Sequence, residues 1–122
     1  MKSKLSILAA GLLIALGATT DLHFALSRSE PEADAIVTSA PELRLWFTEV
    51  AQAGSVGIRL LTADSTVVET SSATPDRADG RIYSVAVTNP LGGGRYTVAW
   101  RGIGTDGHVV TGSYAFTVRP AE

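Results

Sequence analysis

Tyr96-Thr97-Val98-Ala99-Trp100-Arg101 puts a large apolar side chain at every second position, against the smaller or polar Thr97, Ala99 and Arg101. A period of two is the mark of a β-strand with one buried face. The alternation recurs in Leu43, Leu45 and Phe47 against Arg44, Trp46 and Thr48, and in Val56, Ile58 and Leu60 against Gly57, Arg59 and Leu61. It recurs again in Tyr114, Phe116 and Val118 against Ala115, Thr117 and Arg119. Weaker strand candidates run from Phe24 to Ser29, Val67 to Thr70 and Ile82 to Thr88. Turn chemistry separates them at Pro31, Pro41, Ala63-Asp64-Ser65, Pro75 to Gly80, Asn89 to Gly94 and Gly102 to Gly107. Beyond residue 21 no segment sustains a 3.6-residue apolar period. Seven short strands in about 100 residues predict an all-β fold, a seven-stranded Greek-key β-sandwich of Ig-like or cupredoxin-like type. A small closed barrel is the alternative that periodicity leaves open. The strand faces predict Trp100 buried with Leu45, Phe47, Val98 and Phe116, and Trp46 turned outward or over an edge.

The first residues are of another kind. Both lysines, Lys2 and Lys4, precede the apolar run Leu5 to Leu16. A basic start followed by so short a run reads as a secretory signal peptide, because a spanning helix needs about 20 apolar residues. An uncleaved anchor is the alternative. The expected division is residues 1–20 as signal peptide, with cleavage between 18 and 22, and residues 21–122 as one domain. Without the leader the chain carries eight arginines against twelve carboxylates, a net charge of −4.

That charge excludes binding nucleic acid by bulk electrostatics. The absence of cysteine excludes a disulfide framework, thiolate metal sites and thiol catalysis. Imidazole chemistry is confined to His23 and His108. Gly102-Ile103-Gly104-Thr105-Asp106-Gly107 satisfies G-x-G-x-x-G, but a β-type segment follows where dinucleotide binding needs a helix N-terminus. Gly92-Gly93-Gly94 lacks the Lys-Ser/Thr of a phosphate loop. What remains is Asp106-Gly107-His108 near the start of the last strand, and His23 beside the first. Two imidazoles and a carboxylate with no thiolate suit Cu(II), Ni(II) or Zn(II), with Cu(II) first by intrinsic affinity. Asp-Gly is also a favoured hairpin turn on conformational grounds alone.

Four stretches, in order and suitably spaced, carry a resemblance. They are His23-Phe24-Ala25-Leu26-Ser27-Arg28-Ser29-Glu30-Pro31, Pro41 to Glu49, Gly94 to Arg101, and Thr105-Asp106-Gly107-His108 through Val118. Together they resemble the CopC family of periplasmic copper-binding proteins over essentially all of the chain beyond the leader. The resemblance implies a β-sandwich holding one Cu(II) in a shallow surface site. Its metal ligands would be His23, Asp106 and His108, with the amine of His23 added if processing ends there. Glu49 would stand behind them, orienting a ligand. The methionine-rich Cu(I) site of some family members has no counterpart here, since the one methionine is Met1.

The expected protein is therefore not an enzyme but an exported, periplasmic Cu(II) carrier or buffer for copper homeostasis or resistance. It would be a monomer whose partners are copper and an inner-membrane transporter of the CopD type. Two rivals of other classes remain: an oxidative copper enzyme with a histidine-brace-like site, and a metal-free Ig-like adhesion or assembly module. Cleavage after Thr20 would also create Asp21-Leu22-His23, a terminus able to wrap Cu(II) in a square plane of its own.

Overall fold

The apolar alternation resolves into two packed sheets in the computed structural model, which describes residues 23–121. The expected signal peptide, its cleavage point and the Asp21-Leu22 pair lie outside the described residues. The strands are β1 (Leu26–Glu30), β2 (Ile36–Val37), β3 (Glu42–Phe47), β4 (Gly57–Leu61) and β5 (Val67–Val68), then β6 (Thr74–Pro75), β7 (Ile82–Ala86), β8 (Gly94–Ile103) and β9 (Val109–Val118). One sheet runs β1-β3-β7-β6 and the other β2-β9-β8-β4-β5. Each sheet ends in its own edge strands, so the sandwich stands and the closed barrel does not.

Among the described residues, nine strands replace the expected seven. All seven segments form strands, and the two additions, β2 and β6, are two residues each, too short to show any alternation. β2 pairs in parallel with the end of β9, Ile36 opposite Thr117 and Val37 opposite Val118. β6 lies at a sheet edge, where Pro75 can be accommodated despite having no N–H to donate. A second difference shapes the site. Gly102 and Ile103, expected in a turn, continue β8, and β9 begins already at Val109. The β8–β9 ladder therefore pairs ten residues with ten, from Gly94 opposite Val118 to Ile103 opposite Val109, leaving a loop of residues 104–108 at its tip.

The inward faces meet as the alternation predicts. Leu43, Leu45 and Phe47 of β3 are buried, as are Ile58 and Leu60 of β4, Val98 and Trp100 of β8 and Phe116 and Val118 of β9. Burying each large side chain is worth about 1.5–3 kcal/mol, which lets this cysteine-free domain hold together without staples. Trp100 packs against Gly112, where a Cβ would lie 2.4 Å from the indole. Trp46 sits on the outer face, with the Arg28 guanidinium 4.2 Å above its ring centre and Arg44 at 5.4 Å. The β8–β9 tip, the segment leading into β1 and the end of β3 all lie at one end of the sandwich, because Leu26 pairs with Phe47.

Candidate metal centre

The tip of the β8–β9 hairpin folds around a tight turn. Gly107 takes a φ of 82°, a left-handed conformation that glycine adopts without strain. The Gly107 N–H donates to Gly104 C=O at 3.0 Å, and the Gly104 N–H to His108 C=O at 3.3 Å. Asp106 uses both carboxylate oxygens. Its Oδ1 accepts the His108 backbone N–H at 3.0 Å. Its Oδ2 lies 3.1 Å from Nδ1 of His108 and 3.1 Å from Nδ1 of His23. The His108 amide, aided by the two imidazoles, holds the Asp106 carboxyl below its ordinary pKa and keeps it an anion.

His23 reaches this point from the other sheet. Its neighbour Phe24 is buried to 2% exposure. The Thr48 hydroxyl accepts the Ala25 N–H at 3.0 Å and donates to His23 C=O at 3.2 Å. Glu49 grips the opposite half, its Oε1 accepting both the backbone N–H of Thr105 at 3.0 Å and the Thr105 hydroxyl at 3.1 Å. Gln52 adds a side-chain bond to Gly104 C=O at 3.1 Å, and its own N–H donates to Ile103 C=O at 2.8 Å. The Ser55 hydroxyl accepts the Ile103 N–H at 3.0 Å.

All three expected ligand residues thus converge. One candidate ligand atom from each of His23, Asp106 and His108 lies within 4.8 Å of the others. The imidazole rings stand 6.4 Å apart, tilted by 51°. The cluster is open to solvent, with the His23 and His108 side chains 66% and 74% exposed. Two borderline nitrogen donors, one hard oxygen and free access suit a first-row divalent ion that enters and leaves directly. Glu49 acts here on Thr105, bracing the loop that carries Asp106. Thr48, Gln52 and Ser55 belong to the support but were not evident in the sequence. An exposed threonine just past the end of β3 and two polar loop residues carry no spacing signal, and only the tertiary structure brings them to the hairpin.

Comparison with known proteins identifies the family. The CopC domain family matches residues 26–119. Copper resistance protein C of Escherichia coli is 29% identical over 121 residues, covering 93% of this chain and 95% of the relative. The crystal structure of PcoC, a methionine-rich copper resistance protein from Escherichia coli, superposes with a TM-score of 0.71 at 30% identity, over 80% of this chain and 99% of PcoC. CopC from Methylosinus trichosporium OB3b superposes with a TM-score of 0.74 at 28% identity, over 82% and 97%. With the family matched from the first strand to the end of the last, in a fold shared with solved members, this chain belongs to the CopC family of copper-handling proteins.

Proposed function

We propose that the chain binds one Cu(II) ion through His23, Asp106 and His108, and serves as a non-enzymatic carrier or buffer in copper homeostasis and resistance. The convergence of three ligand-type side chains from opposite sheets onto one point carries the reading. Copper is the cargo, and the relatives named copper resistance protein C support that assignment. Cu(II) heads the affinity order for nitrogen and oxygen donors, and Met1 as the one methionine leaves no thioether set for Cu(I). Glu49 keeps Asp106 in position by fixing Thr105. Residues 1–20 act as the signal peptide, and residues 21–122 work in the periplasm as a monomer that passes copper to a CopD-type transporter. With its net charge of −4 the exported chain has no nucleic-acid partner.

Copper titration by calorimetry tests the reading. The protein should take up one Cu(II), far more tightly than Zn(II), and His108→Ala should weaken binding by about 10-fold or more, the lower range for losses around a metal site. Unchanged affinity in His108→Ala would overturn the assignment. The Asp106 carboxylate fills a position that an oxygen-activating copper enzyme keeps open. Ascorbate-driven peroxide formation by the copper-loaded protein should accordingly stay near that of a copper-free control.

A further inference from the structure

We infer that Phe24 is a positioning residue for the metal centre: its ring is a latch, seated in a socket that exists because residue 102 is glycine, and the seated latch holds His23 against Asp106. The inference rests on the proposed copper site and adds to it the device that builds one half. His23 precedes the first strand, and its side chain is two-thirds exposed. A residue so placed frays unless something nearby ties it down. Phe24 is that tie. Its ring stacks on Phe47 at 4.6 Å between centres and 23° between planes, and meets Trp100 edge-on at 6.2 Å.

The socket wall is the base of the metal-bearing hairpin. Gly102 is an inward position of β8, and a Cβ there would lie 2.6 Å from Phe24 Cε2 and 2.7 Å from Cζ. These are ring atoms packed against two other aromatics, so they have no room to yield. A Cβ on Gly104 would stand 3.0 Å from Phe24 Cβ, 3.3 Å from Glu49 Oε1 and 3.4 Å from Asp106 Oδ1. The same short stretch of β8 that receives the latch therefore continues directly into the loop holding Asp106 and His108. Thr48 completes the arrangement by bonding to the backbone on both sides of Phe24. The core thus registers one ligand-bearing segment against the other before any metal arrives.

The test compares Phe24→Ala, Gly102→Val and the double variant with wild type and His23→Ala, using copper titration, Cu(II) electron paramagnetic resonance and thermal melts. Phe24→Ala and Gly102→Val should each weaken Cu(II) by about 10-fold or more, with spectra moving toward that of His23→Ala. The double variant, in which valine fills part of the vacated socket, should recover affinity relative to Gly102→Val. Phe116→Leu, a core change away from the site, should lower the melting temperature and leave the copper spectrum unaltered. Phe24→Ala that binds copper with wild-type affinity and spectrum would overturn the latch while leaving the copper site intact. Wild-type protein that fails to bind Cu(II), or binds it indifferently to His108→Ala, would instead remove the reading beneath it. If Gly102→Val does not fold, Phe24→Ala decides alone, since truncation inserts nothing into the core.

Discussion

Thr48 and Glu49 are neighbours in the chain and hold opposite halves of the His23, Asp106 and His108 cluster. Thr48 bonds to the backbone around Phe24, while Glu49 takes two hydrogen bonds from Thr105 at the hairpin tip. The bend just after β3 therefore works as a clasp between a segment entering one sheet and a loop leaving the other.

The clasp predicts a metal phenotype without a folding phenotype. Glu49→Ala leaves the Thr105 N–H and hydroxyl to water at an exposed loop, so its cost to stability should be small, about 0.5–1.5 kcal/mol for typical hydrogen bonds. Copper affinity should fall more sharply, by about 10-fold, because Asp106 loses its support. Thr105→Val, which keeps the backbone bond, should fall between Glu49→Ala and wild type. Calorimetric titration beside thermal melts measures both, and equal affinity in Glu49→Ala and wild type would remove Glu49 from the site.

The two tryptophans should separate cleanly. Trp100 is 8% exposed at the meeting point of Phe24, Phe47 and the Gly112 backbone. Trp100→Ala should cost about 3–5 kcal/mol, as expected for deleting a buried aromatic. Trp46 lies on the outer face beside the Arg28 and Arg44 guanidiniums, where a cation–π contact is worth about 0.5–1 kcal/mol, so Trp46→Ala should be mild. Urea unfolding of both variants measures the difference, and similar midpoints would contradict the burial described.

How much of this was legible in the sequence follows from which interactions leave a periodic trace. Alternation along Leu43 to Thr48 and Tyr96 to Arg101 predicted both the strands and the faces of Trp46 and Trp100, because one-sided burial imposes a period of two on every residue it touches. β2 and β6, at two residues each, are too short to leave such a trace, and β2 is held by the distant end of β9. Gly102 to Gly107 looked like turn throughout, yet the first two residues are strand. Gly102 serves as a gap for Phe24, a role that shows only once the other sheet is in place. His23, Asp106 and His108 stood out because the chain has so few imidazoles. Their supports, Thr48, Gln52 and Ser55, are ordinary residues whose role is purely spatial.

Tyr114 offers a test by pH. Burial pushes its phenol up to about 12, with Ser29 nearby favouring the ionised form only weakly, and its hydroxyl finds no hydrogen-bond partner of good geometry. A phenol that stays neutral when folded but ionises near 10 when unfolded favours the unfolded chain as pH climbs between those values. Stability should be unaffected by this group below about pH 10 and should decline toward pH 12. Tyr114→Phe should flatten that decline and remove the late-titrating component of the alkaline absorbance change. An unchanged alkaline profile would show that Tyr114 is not the group responsible.

The last prediction concerns the protein without its metal. Among the described residues, fifteen buried apolar side chains form one core that needs no ligand to close it, and His23, Asp106 and His108 all lie outside it. Treatment with a chelator should therefore leave a folded domain with a cooperative thermal transition, unlike a zinc finger, whose folding energy is its metal energy. Copper should then stabilise by mass action alone. At free Cu(II) about 100 times the dissociation constant the gain is about 2.7 kcal/mol, and it continues to rise with the logarithm of concentration. Scanning calorimetry should show the melting temperature climbing with copper in wild type and staying flat in a His23→Ala/His108→Ala variant. Loss of the cooperative transition on chelation would mean that the metal organises the sandwich itself, and that the core described here is insufficient to hold the fold.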